Sequence, residues 1–383
     1  MEKDEQIQVL EDLIKINSVN GNEIEVANYL KQLFNDHGLD AKIDAFGDRR
    51  ANLIVEFGEG DQVFGVTGHM DTVAVGDEAK WSHSPFNPTR NGDRLYGRGA
   101  ADMKSGLAAE VVALIELHDA GQLPKGHVRF IATAGEEYGT PGANRLEAAG
   151  VADDLIGLLV GEPTSGNVVY AHSGSLNYRI ISTGKAVHSS QPENGVNAID
   201  ALVDYCVKER HLFDDAPTDP YLGKVKHSVT VVSGGDQVNT IPDSAWLKGN
   251  IRPTKSFNND HVISKIEQAV REVNAKGQGQ LTFELIHNFR PVASDPHSKF
   301  VERALRATQK AYHSLPAHHQ PTLKTINGAT DASVFVKCNP DLPVIVLGAD
   351  DWRIAHQINE YTTISSYLAT IQTYREIIEH FFD

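Results

Sequence analysis

The sequence predicts a discontinuous α/β domain, a mixed sheet covered by helices, interrupted by a smaller α+β domain of ferredoxin-like order. Three patterns point there. Continuously apolar stretches at 63–67, 128–133 and 155–160 end in polar clusters, as strands buried on both faces do. From about 176 to 289 the order becomes strand, helix, strand, strand, helix, strand, the split β-α-β arrangement. The first pattern then returns at 344–347, which makes the second domain an insertion.

The individual elements follow in order. Ile7, Leu10, Leu13 and Ile14, then Val26, Leu30 and Leu33, fall at helical spacing. Gly21 separates these two helices, and Gly38 stands where a C-cap closes the second. Residues 106–118 read as an apolar helix ended by Gly121 and Pro124. Within the insertion, strands are expected at 176–183, 229–233, 245–251 and 281–286, with helices at 198–212 and 262–273. The expected divisions are 1–175 and 290–383 for the first domain and 176–289 for the insertion. If the insertion moves, its hinges lie near Ser173-Gly174-Ser175 and Asn288-Phe289-Arg290-Pro291.

At 383 residues the chain suits two domains of roughly 150 residues or more and needs no disulfides to build a core. Its 35 Lys and Arg against 51 Asp and Glu leave a net charge of −16. With no basic run, that acidity argues against nucleic acid or an anionic membrane as partner. No apolar stretch is long enough to span a bilayer. Met1-Glu2-Lys3-Asp4-Glu5 is charged where a signal peptide needs an apolar core. Two cysteines, Cys206 and Cys338, fit a reducing compartment. A cytoplasmic protein is expected.

The chemistry is in the polar clusters. Ligands of open α/β sheets gather beyond the carboxyl ends of the strands. That edge would collect His69 and Asp71, Glu136 and Glu137, Glu162, and His356 from the last strand's sequel. Asp102, just before the apolar helix, could join them. Carboxylates so crowded repel one another unless cations intervene. Asp102, Glu137 and Glu162 with two imidazoles carry a charge that two divalent ions and a shared hydroxide would balance. A shared Asp would then give each ion four ligands, which suits zinc. Glu136, the spare carboxylate, stands where a general base belongs. Asp71, two residues past His69, could orient its imidazole.

Taken singly, each residue has an ordinary alternative: a histidine at a strand end, an acidic pair in an exposed turn. Gly97-Arg98-Gly99 is not a dinucleotide loop, because Asp102 stands where the third glycine belongs and would face an anion. There is no GxSxG elbow, and neither cysteine has a catalytic signature around it.

Together, His69-Met70-Asp71-Thr72-Val73, Gly97-Arg98-Gly99 with Asp102-Met103-Lys104-Ser105-Gly106, Gly135-Glu136-Glu137, Gly161-Glu162-Pro163-Thr164 and His356 resemble the two-zinc amidohydrolases. That family includes succinyl-diaminopimelate desuccinylase, acetylornithine deacetylase, aminoacylase and glutamate carboxypeptidase. The resemblance implies a zinc-peptidase-like catalytic domain with two zinc ions, or cobalt in their place. Asp102 would bridge them, His69 and Glu162 would complete one site, and Glu137 and His356 the other. It also implies Glu136 as base and a cis peptide bond at Asp102–Met103.

Gly184-Lys185-Ala186-Val187-His188-Ser189-Ser190 resembles the family's lid motif. The inserted domain would therefore be a lid and dimerisation domain, the assembly a homodimer, and His188 the donor to the oxyanion. Asn239 and Arg252 resemble substrate-binding positions, as do Gly328 and Thr330 in Gly328-Ala329-Thr330-Asp331-Ala332. An Arg at 252 implies a substrate carboxylate. N-succinyl-diaminopimelate is the expected substrate. Acetylornithine, an acyl-amino acid or a dipeptide are alternatives within the family, and a non-catalytic metal-binding dimer is an alternative of another kind.

Overall fold

The computed structural model describes residues 1–383 apart from 123, 278 and 316–319. The chain forms two compact units. One comprises Met1–Ala171, Ala293–Thr325 and Thr330–Asp383, the other His172–Val292 and Ile326–Ala329.

The first unit is built on a mixed sheet. Four neighbouring strands run parallel in the order His127–Thr133, Val63–His69, Leu155–Val160 and Val344–Val346. All seven residues of Val63–His69 are buried, which explains the uninterrupted apolar sequence. An antiparallel hairpin, Ala41–Phe46 and Arg50–Phe57, extends one side. Val168–His172 continues the other side in antiparallel sense.

Helices Lys3–Lys15, Glu23–Asp36, Ser105–Asp119, Lys299–Tyr312 and Ile364–Glu379 pack against this sheet or one another around one core. The third of them is buried from Ser105 to Leu117, so its sequence is apolar all round instead of striped. Truncating a core side chain such as Leu107 or Leu114 would cost about 2–5 kcal/mol. Gly38, at φ +76°, closes the second helix as its position implies.

In the second unit four antiparallel strands lie in the order Lys226–Gly234, Ser244–Arg252, Ser175–Thr183 and Gln280–Phe289. Burial alternates along Ser175–Thr183 and Ser244–Arg252, leaving one face for helices Ala198–Glu209 and Asn259–Asn274. The β-α-β-β-α-β order is as expected. A short ribbon, Val187–His188 paired with Thr240–Ile241, was not anticipated from the sequence. Among the described residues, no helix is long and apolar enough to cross a membrane.

Candidate metal centre

The parallel strands deliver the candidate residues at or beyond their carboxyl ends, all within the first unit. His69 is the last residue of its strand. Glu136 and Glu137 follow Thr133 by three and four residues, and Glu162 follows Val160 by two. Asp102 lies in the irregular segment Ala100–Lys104 that leads into the buried helix, with a cis bond to Met103 as expected. His356 sits just past the short turn Trp352–Ile354 with φ +63°.

These ends converge. Asp102 lies between the two histidines: Oδ1 is 3.0 Å from His69 Nε2, and Oδ2 is 3.3 Å from His356 Nε2. Glu162 Oε1 is 3.6 Å from His69 Nε2, and Glu137 Oε1 is 2.6 Å from His356 Nε2. Ligand atoms of His69, Glu136 and Glu162 lie within 4.8 Å of one another, as do those of His69, Asp102 and Glu137. His69 is 1% exposed and His356 50%, so one end of the cluster is sealed and the other open.

The hydrogen bonds of His69 test whether a cation fits. Its Nδ1 is 2.9 Å from the backbone carbonyl of Asp71. A carbonyl can only accept, so Nδ1 carries a proton and Nε2 is the ring's remaining nitrogen. A neutral ring then turns a lone pair towards Asp102 and Glu162, an arrangement that a cation resolves. Two imidazoles among carboxylates are also a donor set suited to zinc and its neighbours.

Without a cation, the same crowding favours the protonated form at most of these groups. Burial pushes the carboxyls of Glu136 and Glu162 well above the usual range, Glu136 further through Glu162 and Glu162 further through Asp102. Burial opposes the His69 imidazolium, but Glu162, Asp102 and Asp71 outweigh it and hold the ring well above its ordinary value. His356 rises to about 10 through its bonds to Asp102 and Glu137. Burial also works against ionised Asp102, yet the two histidines hold it below the usual carboxylate range.

Asp71 does more than its spacing suggests. Its carboxylate accepts the backbone N–H groups of Gly135 at 2.8 Å, Glu136 at 3.0 Å and Glu137 at 3.2 Å. The imidazole of His69 is 3.5 Å from that carboxylate and is bonded instead to the backbone carbonyl of Asp71. Asp71 thus fixes the turn that carries the acidic pair.

Two further acids complete the surroundings. Asp331 accepts from Thr133 Oγ1 at 2.5 Å, and burial lifts its carboxyl to about 6. Glu110, on the buried helix, has no hydrogen-bond partner for either oxygen among the described residues. Its carboxyl lies against Gly68 and Gly161, the residues preceding His69 and Glu162. A Cβ at Gly161 would stand 2.6 Å from Glu110 Oε1, and one at Gly68 2.6 Å from Met103 Cε. A larger residue at either position would make the Glu110 or Met103 side chain shift. Neither acid was singled out from the sequence.

The remaining predicted residues belong chiefly to the second unit. His188 Nδ1 is 2.8 Å from Ser190 Oγ, and the N–H of Ser189 donates to the carbonyl of Asn239, so His188 and Asn239 share one structural neighbourhood. Arg252 ends its strand half-buried, and burial lowers its pKa. Gly328 groups with the second unit. Thr330 belongs to the first, where it accepts the N–H of Ala332 at 3.2 Å.

Residues 65–380 match the model of Peptidase family M20/M25/M40. This chain belongs to that family. It is 36% identical to the "Probable succinyl-diaminopimelate desuccinylase" of Staphylococcus aureus strain MRSA252, over 97% of this chain and 96% of the relative. Its fold is similar to that of aminopeptidase PepT from Bacillus cereus, with a TM-score of 0.77 at 23% identity, covering 99% and 98% of the two chains. It is similar also to the family's metallo-carboxypeptidase Sso-CP2 from Sulfolobus solfataricus, with a TM-score of 0.76 at 19% identity and 99% of each chain covered. Membership makes the chain a metallo-hydrolase with the mixed α/β fold described above.

Proposed function

We propose that this chain hydrolyses the amide bond of an N-acyl amino acid, with N-succinyl-LL-diaminopimelate as substrate and succinate and LL-diaminopimelate as products. The substrate is supported by the relatives that carry this activity in their names while aligning over nearly the whole chain. The reaction class is supported by Glu136, a half-buried carboxylate within reach of His69 and Glu162 that is not needed to complete either pair of ligands.

The ligands are His69, Asp102, Glu137, Glu162 and His356. They would hold two zinc ions, or cobalt, which when bound polarise a carbonyl and lower the pKa of water from 15.7 towards about 7. Glu136 takes the proton of the attacking water and hands it to the leaving nitrogen, so the C–N bond breaks to a neutral amine. Asp71 keeps Glu136 in place through its backbone N–H. His188 donates to the amide oxygen as negative charge builds there. Arg252 pairs with the substrate carboxylate, with Asn239, Gly328 and Thr330 completing the substrate contacts.

The assembly proposed is a homodimer through the inserted unit. Its support is the strand Lys226–Gly234, which ends its sheet with Val231 and Val232 exposed, and the helix Ala198–Glu209, which exposes Val203 and Val207. A cytoplasmic location is proposed from two cysteines that form no disulfide.

One observation favours a second reading. Gly328-Ala329-Thr330-Asp331-Ala332 departs in sequence from the Gly-Gly-Thr-Ser-Asp-Gly loop of well-defined desuccinylases, which suits a broader deacylase acting on N-acetylornithine or dipeptides. Amine release from N-succinyl-LL-diaminopimelate, N-acetylornithine, an acyl-amino acid and a dipeptide separates the two. Preference for the succinyl substrate is expected. Activity spread over the panel, or confined to the dipeptide, would discard that choice and keep the reaction class.

A further inference from the structure

Arg98 and Glu360 form a buried ion pair at 2.6 Å, with 2% and 1% of their side chains exposed. A pair so desolvated adds little stability by itself, so what it holds in place is the informative part. Glu360 Oε1 accepts the backbone N–H groups of Ala101 at 2.9 Å and Asp102 at 3.0 Å. Its Oε2 accepts from Gly99 at 3.1 Å as well as from Arg98. Arg98 in turn donates to the carbonyl of Gln357 at 3.3 Å and to that of Ala74 at 3.2 Å. The pair therefore touches three stretches of chain: the one carrying Asp102, the residue after His356, and the segment three residues past Asp71.

We propose that Arg98 and Glu360 are positioning residues that hold the Asp102 carboxylate between His69 and His356. This rests on the reading of Asp102 and the two histidines as cation ligands. The backbone N–H of Asp102 is pinned by Glu360, which leaves the side chain only its own torsions to place Oδ1 at His69 and Oδ2 at His356. Arg98 fixes the turn of His356 against the same anchor through the next residue's carbonyl. Glu360 acts through Asp102 and not as a ligand, because its two oxygens are already engaged by four donors. Without it, three N–H groups lose their acceptor and the Asp102 carboxylate loses its fixed point.

The test is cation binding by the full chain, measured by competition with a chromophoric chelator for Zn²⁺, together with the visible spectrum of the Co²⁺ form. Glu360→Gln is expected to weaken cation binding by about 10- to 100-fold and to alter the cobalt spectrum. It should lower kcat more than it changes KM. The double variant Arg98→Met/Glu360→Gln removes the unpaired buried charge. It should recover thermal stability relative to Glu360→Gln while its cation binding stays weak. Glu360→Gln with wild-type affinity and an unchanged cobalt spectrum would overturn the proposal. So would a double variant whose affinity recovers along with its melting temperature, since the loss would then be one of folding alone. Wild-type protein that takes up no cation would instead remove the ligand reading on which the proposal rests.

Discussion

The carboxylate of Asp71 accepts the backbone N–H of Glu136 at 3.0 Å, and through that bond it sets where the proposed base stands. The N–H groups of Gly135 and Glu137 converge on the same carboxylate, so one buried acid orders the whole turn. Asp71→Asn keeps an acceptor for part of the turn but presents an NH₂ to the rest. It is expected to lower kcat by about 10- to 100-fold, with steady-state kinetics and metal analysis as the readouts. Turnover equal to wild type would show that the turn does not need the carboxylate.

Glu136→Gln separates proton transfer from cation binding. The amide cannot act as a base, so kcat should fall by roughly 10²–10⁴, while metal content per chain stays at the wild-type level. Metal lost together with activity would make Glu136 a ligand instead, a role its distance from His69 and Glu162 leaves open.

Removing cations should weaken the first unit selectively, because the proposed ligands lie in it and their carboxylates would be left uncompensated. Chelation is expected to lower that unit's melting transition by roughly 5–10 °C while the second unit's transition stays in place. Differential scanning calorimetry with and without chelator reads both. An unmoved first transition would contradict the ligand set.

Stability of the second unit should depend on pH through His227. Its imidazole, 2.6 Å from Glu209, is raised above its ordinary value by that bond, against partial burial. The folded state therefore holds the proton more tightly than the unfolded chain. The stability this adds is fully present below about pH 6.5 and is lost as pH rises through the raised folded value. Glu209→Gln should cost stability at pH 5.5 and little at pH 9. Denaturant unfolding at the two pH values checks this, and an equal cost at both would remove the ion pair as its cause.

The dimer proposal predicts that Val232→Asp, on the edge strand where Val232 is 67% exposed, gives a monomer. Light scattering coupled to size exclusion decides it. A wild-type monomer would contradict the proposed assembly.

The strand ends were legible because continuous apolar runs stop at polar residues, and His69 does close its strand. The hairpin Ala41–Phe46 and Arg50–Phe57 was not read out. Its sequence mixes Lys42, Asp44, Asn52 and Glu56 among apolar residues, since one of its strands lies at the sheet edge. Glu110 was hidden inside a helix that otherwise reads as apolar, and only its contact with Gly68 and Gly161 places it under the site. Glu360 reaches Arg98 because the strand Tyr361–Thr363 pairs with Arg94–Tyr96, a long-range register that no local pattern encodes. For Asp71, spacing puts the residue beside His69, but which of its atoms bonds the imidazole depends on the fold, and it is the backbone carbonyl.

The most direct test of metal-dependent hydrolysis at this site is a zinc titration of the stripped protein, with amine release from N-succinyl-LL-diaminopimelate as the readout. Turnover should be absent without metal, rise with added Zn²⁺ and level off at two equivalents per chain, and Asp102→Ala should abolish the response. Turnover that survives stripping, or its absence from the whole substrate panel with two ions bound, would contradict a metal-dependent N-acyl amino acid hydrolase.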